Sequence, residues 1–498
     1  MTRWNRYLPW RPLALAAGIV LLRLPSLSEP QWASDDGFFT AVASISSRGV
    51  ALYAGVYDNS PPVIYWVLRC LIALGALHDH LPVQLLATVA VVASALLTFE
   101  VVQRVAPVST ALLAGSLAGL ALSLPTLDGD LLGVELVALP LFVGALLLAF
   151  GNRNIALLAA GALLALALAT RPSYAVDSLA LAVPLLSGGG RIRRIGLVAA
   201  GALAGLTALA GALAAEGSLD AYLTVVLPSD HAYLVWANLG TLVPLYTRLA
   251  VLAIAGLAVL SRCRSTTSRL ATVWVFASVA GSSLTPRELS HYAQEAIPAL
   301  AFAAALIATR IRRQWVAYPV AALSLVLAAE MVLFLPGVQT AFESGRPAKA
   351  LVHYFAYTDL PAYYANWIGY AAGTRSRDQY AAWFPGEAST DTAEAARLRA
   401  LAGPRRMRIV VLGDRPWLFV HTGAVPATRF IATNSSFWQV AGSAAEVAKT
   451  LREGGADVVV YASGPGDWDG DLAAGGYRLL HGMPWPTYVR DAAPGSCP

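Results

Sequence analysis

Two acids stand side by side at Asp35 and Asp36, directly after the first apolar run, in the segment SDDGFFTAVASISSRGVALYAGVYDNSPPVIYWV. A carboxylate within hydrogen-bond reach of a hydroxyl can take its proton. Ionisable groups at a lipid boundary are costly enough to be functional candidates by default. Cationic groups able to hold an anionic oxygen occur at Arg171 in the tight TRPS turn and at Arg287 and His291 in TPRELSHY, with Arg248 and Arg346 more remote. The run His78, Asp79, His80 looks like a metal cluster, but neighbouring ring nitrogens in a turn seldom converge, so a solvated turn is expected there. Cys70, Cys263 and Cys497 are spread without any C-x-x-C spacing, which indicates neither a disulfide framework nor a zinc site.

The elements that must position these residues are membrane helices. Of 498 residues, 57% are hydrophobic and only 13% charged, against roughly 25% charge in a soluble domain. That composition excludes a soluble enzyme, a disordered chain and a coiled coil. The net charge of +5 comes almost wholly from arginine, since Lys349 and Lys449 are the only lysines. The arginines sit in short loops between apolar runs rather than in one patch, which argues against nucleic acid as a partner. No ionisable residue occurs over 106–127, 136–152 or 195–215, and a run of about 20 such residues spans a bilayer.

Orientation follows from the basic clusters at Arg3, Arg6 and Arg11, Arg104, Arg153, Arg191 to Arg194, Arg262 to Arg269, and Arg310 to Arg313. Short cytoplasmic loops collect positive charge. All clusters fall on one side if only one of the runs 62–77 and 83–103 crosses fully. The count is then about eleven to thirteen spans, with the C-terminus outside. Between the acids and Pro61–Pro62, Phe38, Phe39, Val42 and Ile45 form one apolar stripe. This spacing predicts a short amphipathic helix lying on the outer membrane surface, and the paired prolines then start the next helix.

Past Gly337 charges return, and MRIVVLGD, TRFIAT and ADVVVYAS read as short buried strands between helical stretches at 391–402 and 443–454. The expected organisation is a transmembrane domain over 1–336 with its outer loop at 28–62, an aromatic-rich juxtamembrane connection over 337–390, and an extracytoplasmic α/β domain over 391–498. Aromatics crowd 353–384 at a density typical of an interfacial belt.

The first loop resembles that of the GT-C membrane glycosyltransferases, in particular the bacterial relatives of protein O-mannosyltransferases and of the lipid A aminoarabinose transferase. The resemblance rests on DDGFFTAVASISSRG with LYAGVYDNSPPVIYW, and more weakly on DGDLLGVELVALPL, TRPS, SHYAQEAIPALA and DRPWLFVHTGAVPATRFI. It implies a polytopic helical fold with a small outer α/β domain in the cytoplasmic membrane of a bacterium. It also implies inverting transfer of a hexosyl or pentosyl group from a polyprenyl-phosphate donor to a cell-envelope glycan, lipid or protein. The first acid of the pair, here Asp35, is then the catalytic base, with Asp36 orienting it or binding the acceptor. Arg171, Arg287 and His291 become candidates for the donor phosphate, and Tyr57, Asp58, Asn59, Glu135 and Glu330 candidates for sugar or acceptor contacts. Some relatives carry an acid and a lysine just before the prolines for metal and phosphate. Here Asn59 and Ser60 stand there, with Asp58 one place earlier. No cofactor is therefore implied with certainty, and a divalent metal is doubtful. The rival readings are a transporter or flippase of lipid-linked sugars, which needs ionisable or broken helices near mid-membrane, and a non-catalytic glycan binder.

Overall fold

A computed structural model describes residues 10–32, 34–75, 80–239, 244–285, 290–310, 360–384, 387–434, 436–462 and 467–490. The chain is mostly helical and carries one small sheet near its C-terminus. It divides into two compact units.

The first unit comprises Met1–Ser28, Val83–Leu209 and Trp236–Ala365. Its helices are rich in Leu, Ala and Gly, and the small Ala and Gly let backbones approach closely, as Gly161 and Gly201 do against facing backbone. Val108–Ala121 packs along Ile297–Arg310, and Val134–Leu148 along Asn154–Leu168. Thr266–Ser282 lies against both Tyr174–Asp177 and the 3₁₀ turn Ser290–Ala296. Among the described residues of the whole chain, three helices are long and apolar enough to cross a membrane: Leu81–Gln103, Arg191–Ala215 and His291–Thr309. Six further apolar helices have only 10 to 17 residues. One of them, Val63–Ala73, has 11 residues and rises about 16 Å, half of the roughly 30 Å hydrocarbon core.

The second unit comprises Glu29–Pro82, Ala210–Val235 and Asn366–Pro498. Its sheet has the order β2-β1-β3-β5-β4, with β1 at Arg408–Leu412, β2 at Val425–Pro426, β3 at Val458–Tyr461, β4 at Tyr477–Leu480 and β5 at Thr487–Arg490. β1 runs parallel to β2 and β3, whereas β5 is antiparallel to β3 and β4. The central strands are continuous apolar runs because helices cover them. Ser443–Arg452 shows how: Val447 and Leu451, four apart, are buried.

Two expectations are corrected here. TRFIAT is no sheet strand; its backbone turns away to make a single parallel bridge at Phe430 with Tyr57, whose N–H donates to the Arg429 carbonyl at 2.7 Å. A segment that fastens a distant loop cannot also extend the sheet. The helix at Ser34–Ser46, termed the acid helix below, is not a surface helix with one wet face. From Asp36 to Ala43 every residue is buried, because the helix packs between Val63–Ala73 and the short helix Trp417–Thr422. Helix pattern alone shows the apolar stripe but not that a second partner covers its opposite side. Of the aromatic connection, Tyr363, Tyr380 and Phe384 are likewise buried, with Tyr370 stacked on Tyr380 at 4.8 Å.

Candidate active site

In the second unit the acid helix begins with Asp35 and Asp36 in its first turn, where the partial positive charge of the helix end favours anions. The two acids have opposite environments. Asp35 is exposed, while Asp36 is fully buried and its Oδ2 lies 3.0 Å from Nε2 of His80. Nδ1 of His80 faces the Glu29 carbonyl oxygen at 3.4 Å. His80 is buried rather than solvated, which corrects the expected wet turn; His78 and Asp79 lie outside the described residues. Among the described residues no three His, Cys, Asp or Glu side chains gather as metal ligands could.

The helix is locked by neighbours remote in sequence. A Cβ at Gly37 would sit 2.7 Å from Cδ1 and Nε1 of the Trp417 indole, so glycine is required there. Past the end of the helix, Arg48 donates to the Gly423 carbonyl at 2.6 Å and to Ser44 Oγ at 2.7 Å.

The loop that follows is wound tightly. Tyr53 adopts φ 65°, a left-handed conformation unusual for an aromatic residue, and is held there by its N–H to the Val56 carbonyl at 2.7 Å. Its hydroxyl donates to the Ser60 carbonyl at 2.9 Å. Tyr57 is buried with its hydroxyl 2.7 Å from Ser229 Oγ. Asp58 is buried and accepts from the Tyr65 hydroxyl. Burial raises its pKa, against the lowering effect of that bond and of the N–H groups of Asn59 and Ser60. Those partners already occupy the carboxylate, so this site does not fit a resident metal. Asn59 hydrogen-bonds Asp230, whose pKa is pushed up to about 8 by burial and by the charge of Asp58. Asp230 was not foreseen; its only signal is an acid in the otherwise apolar stretch VVLPSDHAYLV.

The first unit holds a second polar cluster. Arg171, expected to face a phosphate, and Glu135, expected to face a sugar, are ion-paired to each other. Nε of Arg171 also reaches Glu295 at 2.8 Å, and its guanidinium lies 4.8 Å from the Tyr292 ring centroid. Ser173 donates to Glu295 at 2.6 Å. Asp177 and Glu295 converge over Gly281, where a Cβ would meet Oδ2 of Asp177 at 2.7 Å and crowd Oε1 of Glu295. Glu295 lies in the SHYAQEAIPALA segment without being singled out there, and Asp177 is marked only as an acid beside an apolar run. His291 pairs with Asp128 at 3.0 Å. Arg248 is buried like Arg171 but differs in its partner: it hydrogen-bonds the neutral amide of Asn238, and among the described residues its Nε has no hydrogen-bond partner. Arg287, Glu330 and Arg346 lie outside the described residues.

The crystal structure of ArnT from Cupriavidus metallidurans bound to undecaprenyl phosphate aligns with 97% of this chain and 98% of its own length, at a TM-score of 0.59 and 14% identity. The chain shares the fold of ArnT. The apo state of ArnT aligns over 96% and 97% of the two chains at a TM-score of 0.57, also with 14% identity. The Archaeoglobus fulgidus oligosaccharyltransferase in complex with zinc and sulfate aligns at a TM-score of 0.43 and 15% identity, over 91% of this chain and 68% of that one. No family model matches the sequence, and no curated protein matches it either. The likeness to ArnT is thus one of architecture.

Proposed function

We propose that this chain is an inverting glycosyltransferase that moves a sugar from a polyprenyl-phosphate donor to a cell-envelope acceptor at the outer face of the cytoplasmic membrane. The observation that carries the reading is the asymmetry of the acid pair: Asp36 is buried against His80, and Asp35 is exposed at the mouth of the same helix. A buried carboxylate is out of reach of a substrate hydroxyl, whereas an exposed one beside it can serve. In this reading Asp35 takes the proton of the acceptor hydroxyl as that oxygen attacks the anomeric carbon, and the lipid phosphate leaves with the bonding pair. Tyr57, Asp58 and Asn59 shape the loop beside the acceptor.

The anionic leaving group needs cations. Arg171 is already neutralised by two carboxylates, so Arg248, whose partner is a neutral amide, becomes the chief candidate for the phosphate, with Arg287 and His291 as further candidates. That ArnT binds undecaprenyl phosphate supports a lipid-linked donor of this class. The arginine-based topology supports about eleven to thirteen spans and an outer C-terminal domain.

The buried cluster of Arg171, Glu135, Glu295 and Asp177 favours a second reading, a flippase of lipid-linked sugars, because transporters keep ionisable groups inside their helices. One assay separates the two. Purified protein is incubated with a panel of polyprenyl-phosphate sugars, and free polyprenyl phosphate is measured as product. A transferase releases it with at least one donor and acceptor; a flippase moves the donor across vesicles and releases none.

A further inference from the structure

His80 is packed by three separate parts of the second unit. Asp36 approaches from the acid helix, Glu29 from the stretch before it, and Trp417 from the C-terminal domain, its indole edge-on to the imidazole at 5.5 Å and 87°. Behind Trp417, stacked at 6.0 Å, lies His421. Burial and the charge of Arg399 push the His421 pKa down to about 4, so that ring is neutral at pH 7 and does not repel a cation at His80.

Both ring nitrogens of His80 face oxygens that can only accept, a carboxylate and a backbone carbonyl. Neutral imidazole has one N–H and can serve one of them; imidazolium serves both. The ring is buried, so water is a poor substitute for the missing bond. Burial pulls the His80 pKa down, but the hydrogen bond and charge of Asp36 and the charge of Glu29 outweigh it, and the net shift is upward.

A cation here has a consequence for the neighbouring acid. Two adjacent carboxylates in one helical turn repel. An imidazolium bound to Asp36 cancels one of the two charges. We propose that His80 is a positioning residue for the transfer reaction: as imidazolium it neutralises Asp36, keeps Asp35 ionised and available as the base, and ties the first turn of the acid helix to Trp417 of the C-terminal domain. This rests on the reading of Asp35 as the base.

The test uses His80→Gln, which keeps one donor but no charge, and the double variant His80→Gln with Asp36→Asn, which removes the repelling charge as well. The full-length protein is assayed for transfer across pH, and its heat-denaturation midpoint is followed over the same range. In wild type, the stabilisation from His80 is present below its ordinary titration range and lost as pH rises through its elevated folded value; His80→Gln lacks this step. In His80→Gln the acid limb of the rate profile moves up by about one pH unit or more, with the donor KM unchanged. The double variant returns the limb to its wild-type position, a rescue that a merely structural role does not give. Should His80→Gln fail to fold, Asp36→Asn carries the test alone: it shifts the thermal step to lower pH and leaves the acid limb in place. A wild type that transfers normally while His80→Gln keeps its acid limb overturns the inference alone. A wild type without the thermal step overturns it too. A folded wild type that transfers from no donor overturns the reading of Asp35 and this inference with it.

Discussion

The Arg171 cluster of the first unit and the acid pair of the second are both made of carboxylates and a cation, yet they end in different states. Around Arg171, Glu135 and Glu295 close on one guanidinium, and all three side chains are buried. In the second unit His80 meets the buried Asp36, while the adjacent Asp35 is exposed. A buried ion group that closes on itself contributes mainly to holding helices in place, because removing any member strands the rest. One that places an acid at an exposed edge has something to offer a substrate. The difference argues that the chemistry belongs to the acid loop and that the Arg171 cluster is scaffold.

The comparison breaks most sharply at Asp35. Replacing Asp35 with Asn should cost on the order of 100- to 10,000-fold in transfer rate with the melting temperature nearly unchanged, measured as release of polyprenyl phosphate by folded protein. Near wild-type turnover would falsify its role as base. Arg171→Met should do the reverse: stranding Glu135 and Glu295 should cost roughly 3–5 kcal/mol of stability, read by thermal denaturation in detergent. If this variant folds normally and loses only donor binding, the scaffold reading of the cluster is wrong.

A third substitution sharpens the contrast between the two buried arginines. Arg248→Gln removes a cation that has a neutral partner, so stability should hold while donor affinity drops by about tenfold or more, the value of a charge-assisted bond worth roughly 1.5–3 kcal/mol. Equilibrium binding of a polyprenyl-phosphate sugar checks it, and unchanged affinity returns Arg248 to a structural role. The smallest effect is expected at Asp230. Its folded pKa, raised to about 8, means that stabilisation is full below the unfolded value near 4 and is lost as pH rises toward 8. Asp230→Asn should therefore match wild type in acid and exceed it by about 1 to 3 kcal/mol at pH 8, seen as a flatter dependence of melting temperature on pH.

Much of the fold was legible because it is written in local pattern. The apolar strand cores Val410–Leu412 and Val458–Val460, the helices at 387–402 and 443–452 and the helix start after Pro62 all follow from runs, spacing and proline. β4 and β5 were not, since YRLL and TYVR mix polar and apolar residues at a half-covered sheet edge. The site divides in the same way. Asp35 and Asp36 announce themselves by adjacency, but which of them is buried depends on His80, 44 positions later, and on Trp417, hundreds of positions away. Glu135 and Arg171 each looked available for a ligand because a sequence does not show that two charges 36 positions apart meet. Long-range charge pairing leaves no periodicity to read, and this is where residue types alone assign the wrong partner.

The fit of Gly37 against Trp417 reaches beyond this one molecule. It couples two segments of the chain as a matched pair: a side chain at position 37 demands a smaller ring at 417, and the indole at 417 demands glycine at 37. Grafting a foreign C-terminal segment onto this acid helix should therefore succeed only with donors whose side chain at that point leaves the first turn of the helix in place. A donor that places a bulky aliphatic side chain there would have to push the first turn of the helix aside. Chimeras made by exchanging C-terminal domains can thus be sorted in advance by two positions, before any catalytic residue is considered.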